Sequence, residues 1–119
     1  MTNRPITLQV AEEALKDMTT IKTKNITIEL IQQTVAKYFS LKLDDLKSSR
    51  KSADIAHPRQ IGMYLCREIG NFSLPKIGYE FGKRDHTTVM HACNKISKSI
   101  KENSEIQNTV EELKKLILY

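Results

Sequence analysis

Residues 73–96 read SLPKIGYEFGKRDHTTVMHACNKI, and this stretch decides the fold. Ser73 suits a helix N-cap, because its hydroxyl can accept from the unpaired amides of a first turn. Pro75 suits that turn because it brings no amide to satisfy. Gly82, just after Phe81, is a natural stop. Asp85 can then cap a longer helix running to about Lys101. On that helix Val89, Ala92, Cys93, Ile96 and Ile100 recur at i, i+3, i+4, i+7 and i+11, which is one core-facing stripe. Thr87, His91, Asn94, Lys95 and Lys98 fall about 140–240° away at 100° per residue. No acidic residue lies between Asp85 and Glu102. A short helix, a tight turn and a long helix with one apolar and one cationic face make a helix-turn-helix.

The first turn of the long helix, Arg84-Asp85-His86-Thr87-Thr88, consists almost wholly of hydrogen-bonding side chains. In a docked helix-turn-helix this is the part that meets base edges. An Asp accepts from the cytosine amino group, a Thr methyl packs on the thymine methyl, and a His donates or accepts. For Asp85 a plain capping role carries equal weight, and both roles are compatible.

Outward from this unit the pattern stays helical, with no strand-like alternation and no repeat. Leu8, Ala11, Leu15 and Met18 place a short amphipathic helix over 7–18, followed by a polar linker over 19–25. Thr27 is the N-cap of a helix to about Phe39, with an Ile26–Ile31 staple. Asp44 and Asp45 open a single turn through Leu46, and 47–57 reads as a basic loop. Pro58 fits the first turn of the next helix, with Ile61, Leu65 and Ile69 inward and Gly70 as its stop. Ser104 and Gln107 form a capping-box pair before a last helix with Ile106, Val110, Leu113 and Ile117 inward. The expected fold is all-α, a helical bundle containing a helix-turn-helix and a basic loop. A boundary near residue 24 separates 1–24 from a domain over 25–119.

Charge supports a polyanion partner. The chain has 119 residues and a formal net charge of +5. Segments 47–59 and 82–101 alone carry +7, leaving −2 for everything else. A basic patch on a slightly acidic body is the footprint of nucleic-acid binding, although a charge run alone also fits a solvated surface. No apolar run is long enough to span a membrane, and the N-terminus lacks a secretory pattern, so a soluble cytoplasmic domain is expected. Cys66 and Cys93 are far apart in sequence and are expected to be reduced thiols, neither paired nor zinc-bound.

Catalysis is not expected. His86 and His91 are five apart, which splays them by about 140° on a helix and prevents joint metal ligation. There is no HExxH, no CxxC, no nucleophile elbow and no GxxxxGK[ST], hence no ATP site in this chain.

The 73–96 stretch closely resembles the signature of the C-terminal domain of the bacterial chromosomal replication initiator family, DnaA. Pro58-Arg59-Gln60-Ile61, Met63-Tyr64-Leu65 and Ile26-Thr27-Ile28 resemble the same domain. The resemblance covers about 25–119, while residues 3–18 look like the last helix of the family's ATPase lid. It implies a monomeric fragment of a longer initiator that binds asymmetric boxes in double-stranded origin DNA. ATP and replication-regulator proteins are implied as partners of the full-length protein. Asp85, His86, Thr87 and Thr88 match the positions that read the major groove, and Leu74 and Pro75 match positions lying against DNA. Arg59, Gln60, Lys76, Arg84, His91 and Lys95 match backbone-facing or supporting positions.

This chain departs from the family at three places. Lys51 stands where the family has an arginine that enters the minor groove, with Arg50 beside it as the alternative occupant. Lys83 replaces the usual second glycine of the turn and adds a cation, and Asp54 replaces a residue that is more often neutral. Two rival readings are a stand-alone transcriptional regulator, which needs a dimer interface and a palindromic site, and a protein-interaction module, whose binding tolerates salt.

Overall fold

The computed structural model describes residues 25–119. The helix expected over 7–18, and the linker after it up to residue 24, lie outside the described residues. Six helices follow in order: α1 (Ile28–Tyr38), α2 (Leu43–Lys47), α3 (Ala53–Glu68), α4 (Leu74–Glu80), α5 (His86–Glu102) and α6 (Ser104–Leu118). No strand occurs among the described residues.

Three of the starts are set by the side chains the sequence pointed to. The Thr27 hydroxyl accepts from the Leu30 amide at 3.0 Å. Ser73 Oγ accepts from the Lys76 amide at 3.3 Å. Asp85 Oδ1 accepts from the Thr88 amide at 2.9 Å. Each satisfies an amide that would otherwise lack a partner in the first helical turn.

Three boundaries differ from expectation. Helix α3 begins at Ala53, so Pro58 is its sixth residue and not part of its first turn. The missing proline amide leaves the Asp54 carbonyl without its helical partner. The basic loop shrinks accordingly to residues 48–52. At the far end of α3 the left-handed residue is Asn71, with φ 54°, and not Gly70. Helix α6 is capped by Asn103, whose Oδ1 accepts from Glu105 at 2.9 Å and Ile106 at 3.4 Å, and not by Ser104. Helix α5 runs on to Glu102, so Asn103 ends one helix and starts the next.

Helix α3 is the hub, packed against α1, α4, α5 and α6. The core that joins them includes Ile31, Ile61, Leu65, Ile77, Phe81, Val89, Ile96 and Leu113, all essentially inaccessible to solvent. Burying each contributes about 1.5–3 kcal/mol before entropy is counted. One polar side chain joins this interior. Gln32 on α1 is buried and donates from Nε2 to the Glu80 carbonyl at 2.9 Å, which satisfies a free carbonyl at the end of α4.

Candidate nucleic-acid interface

The turn between α4 and α5 is unusually tight. Gly82 and Lys83 both adopt left-handed backbone, at φ 95° and 59°. A Cβ on Gly82 would lie 2.3 Å from the Lys47 carbonyl oxygen, so only glycine fits there. Lys83 has no such excuse and accepts strain of roughly 1 kcal/mol or more. Its amide bonds the Tyr79 carbonyl at 3.0 Å, and the Arg84 amide bonds the Gly78 carbonyl at 2.8 Å. These bonds fold the chain back so that α5 starts directly beside α4.

Helix α5 then presents the two faces its periodicity requires. Val89, Ala92 and Ile96 are buried, while His86, Thr88, His91, Asn94, Lys95 and Lys98 are exposed and Thr87 is half-buried. In the first turn, Thr88 gives both its amide and its hydroxyl to Asp85 Oδ1, each at 2.9 Å. The bond from the Thr88 amide is the main reason the Asp85 carboxyl is held below its usual range, so it is ionised at neutral pH. Capping therefore engages one oxygen of Asp85. Among the described residues Oδ2 makes no protein hydrogen bond, which leaves it free to accept from a base.

Three clefts surround this turn, and Arg84 lines all of them. The first, about 240 Å³, lies between α3 and α5 and brings together Arg59, Gln60, Arg84, Thr88, His91 and Lys95. The second, about 350 Å³, is walled by Pro75, Tyr79, Lys83, Asp85 and His86. The third, about 260 Å³, opens on the basic loop and includes Lys47, Ser48, Ser49 and Lys51. The structure thus gathers most of the candidate residues into clefts that meet at Arg84. Arg50, Leu74, Lys76 and Thr87 line none of the three, and Lys76 lines a separate cleft with Thr27, Glu29 and Phe72 at the start of α1. Leu74 is half-buried and packs against the core.

Arg59 stands apart from the exposed cations. It is only 6% accessible. Its Nε donates to the Leu46 carbonyl at 3.1 Å, and its Nη2 to the carbonyls of Ser48 at 3.1 Å and Arg50 at 2.7 Å. Of the two roles open to it, backbone-facing or supporting, these bonds put it in the supporting one. Burial, and the Arg84 charge nearby, push its pKa below the usual arginine value. In the loop itself Arg50 leans toward Asp45 at 3.8 Å, a weak surface pair. Lys51 is exposed and makes no salt bridge among the described residues.

Sequence reasoning passed over three residues here. Tyr79 is 63% accessible and stands one helical turn after Pro75, on the same face. That i, i+4 spacing was the available signal. Gly78 is needed where α4 and α5 meet, and nothing in its local sequence announces the contact. His57 is half-buried, and burial followed by the Lys95 charge lowers its pKa, so it stays neutral.

The fold and this face define a helix-turn-helix domain with a cationic recognition helix. A model described as the bacterial dnaA protein helix-turn-helix matches residues 28–96, and the chain belongs to that family. Among solved structures, a crystal structure of a DNA replication initiation factor is similar at 29% identity and TM-score 0.70. The structure of AMPPCP-bound DnaA from Aquifex aeolicus is similar at 29% identity and TM-score 0.66. Each similarity covers 93% of this chain but 33% of the solved chain.

Proposed function

We propose that this domain binds short asymmetric boxes in duplex DNA as the origin-reading part of a replication initiator. The observation that carries this reading is the first turn of α5. It leaves the exposed His86, the half-buried Thr87 and Oδ2 of Asp85 without a protein partner among the described residues, beside exposed cations, with the helix behind them packed into the core. Helix α5 enters the major groove, Asp85 Oδ2, His86 and Thr87 meet base edges, and Gln60, His91 and Lys95 meet phosphates. The loop lays Lys51 along the adjoining minor groove. The domain acts as a monomer and adds no catalytic step. No GxxxxGK[ST] run is present to cradle the phosphates of a nucleoside triphosphate. In a longer initiator the nucleotide is held elsewhere.

The test is a titration against an asymmetric box and a scrambled duplex. His86→Ala and Thr87→Ala should each lose about 1–3 kcal/mol on the box and much less on the scrambled duplex. Melting should be little changed, because neither residue is part of the buried stripe. If both variants keep full discrimination, α5 is not the reading helix. A palindrome bound by two copies would favour the stand-alone regulator instead.

The loop gives a second expectation. Lysine is more strongly hydrated than arginine and is costlier to strip of water in a narrow groove. Lys51→Arg should therefore strengthen binding to a box with an A/T-rich flank by about 0.5–1 kcal/mol. Arg50→Ala should weaken all duplexes evenly. Loss of the flank preference in Arg50→Ala, with Lys51→Arg silent, would instead put Arg50 in the groove.

A further inference from the structure

Two arginines from different parts of the fold converge on one carbonyl. Ser48 O accepts from Arg59 Nη2 of α3 at 3.1 Å and from Arg84 Nη2 of the α4–α5 turn at 2.6 Å. Arg84 Nη1 also donates to the Phe81 carbonyl, so its planar fork bridges the turn and the loop. Arg59 adds the carbonyls of Leu46 and Arg50, on either side of Ser48. Among the described residues neither guanidinium pairs with a carboxylate. Two like charges, one buried and one half-buried, are thus drawn together and held only by backbone dipoles. That is a costly arrangement for stability alone.

Its geometric effect is specific. Arg84 immediately precedes Asp85, the cap of the reading helix, and Ser48 lies three residues before Lys51. One carbonyl oxygen therefore ties the base-reading turn to the basic loop. We propose that Arg84, seated against Arg59, is a positioning residue that fixes the loop relative to α5, so that the minor-groove and major-groove contacts engage together. The proposal rests on the DNA-reading function put forward above. Two readers held at a fixed spacing bind as one unit, whereas a loose loop loses orientational freedom only on binding.

Arg84→Lys separates positioning from charge, because an ammonium keeps the cation but cannot span both carbonyls as a planar fork does. The variant is compared with the wild type on boxes carrying an A/T-rich or a G·C flank, and on a scrambled duplex. Amide exchange is followed in the free protein at Arg50, whose N–H is bonded to Ser48 Oγ at 3.3 Å. The A/T-over-G·C preference should fall by about fivefold, with affinity for the scrambled duplex and its salt slope retained. The Arg50 amide should exchange faster while amides inside α3 and α5 keep their protection. Uniform weakening on every duplex with unchanged Arg50 exchange overturns the proposal and makes Arg84 a plain phosphate contact. If the wild type shows no flank preference, the minor-groove function of the loop fails. Exchange then still decides the link between loop and turn: faster in Arg84→Lys upholds it, and unchanged overturns it. Arg59→Lys, which breaks the same junction from the α3 side, should show the same faster exchange at Arg50.

Discussion

Gly78→Ala should destabilise the domain and remove its ability to tell a box from random DNA. A Cβ at this position would lie 2.2 Å from the Arg84 carbonyl oxygen, 3.0 Å from its carbon and 3.2 Å from the Asp85 oxygen. All three obstacles are backbone, so no side chain can swing aside. The approach is also pinned, since the Gly78 carbonyl accepts from the Arg84 amide at 2.8 Å. Helix propensity alone predicts the opposite sign, because alanine is favoured over glycine by about 1 kcal/mol inside a helix. The clash wins: three backbone obstacles put the cost at the upper end of the usual overpacking range, about 3 kcal/mol. A net loss of about 2 kcal/mol lowers the melting temperature by roughly 8–16 °C in a domain of this size. The functional effect is larger still. The displaced atoms belong to Arg84 and Asp85, which set where the reading turn begins, so box affinity should fall toward the non-specific level, by about 100-fold or more. Binding to a scrambled duplex needs only cations and should change little. A melt and a pair of titrations decide it, and an alanine variant that melts higher with discrimination intact would show that the helices separate at no cost.

How far the sequence led depends on the range of the interaction concerned. Thr27, Ser73 and Asp85 were readable as caps because each bonds an amide within its own next three residues. The start of α3 was not. Ser52 makes no side-chain cap bond, so the only visible marker was Pro58, and it misled by five residues. The same limit applies at the site. The hydrogen-bonding first turn of α5 and its cationic face are local periodic features and could be placed in advance. The bonds of Arg59 to the Leu46 and Ser48 carbonyls span 13 and 11 residues, and the Arg84–Ser48 bond spans 36. A carbonyl acceptor leaves no mark in residue type, so nothing local separated an arginine that holds the fold from one that faces phosphate. Gly78 is the mirror case, where what matters is the absence of a side chain opposite a segment six residues away.

That sorting of cations sets the expected salt dependence of binding. The two basic segments hold nine Lys and Arg side chains, and counting all of them as phosphate contacts predicts a log–log slope of about −8. The structure takes some of them out of the count. Arg59 is buried on carbonyls, Arg84 is half-buried on two more, and Lys51 goes to the minor groove in the proposed complex. Lys47, Arg50, Lys83, Lys95, Lys98 and Lys101 remain, all exposed. Six phosphate contacts give a slope of about −5.4, from roughly −0.9 per neutralised phosphate. Between 50 and 200 mM salt the affinity for duplex should then drop by about 2,000-fold. Fluorescence anisotropy with a labelled duplex at four salt concentrations measures it. Lys95→Gln should flatten the slope by about one and weaken box and scrambled duplex alike, whereas His86→Ala should leave it unchanged, because a base contact releases no counterion. A slope near zero would remove nucleic acid as the main partner and favour a protein-docking role for the same face. A slope near −8 would mean that Arg59 leaves its carbonyls to meet phosphate. The loop would then have to be rebuilt on binding, and the Arg50 amide should lose protection in the complex.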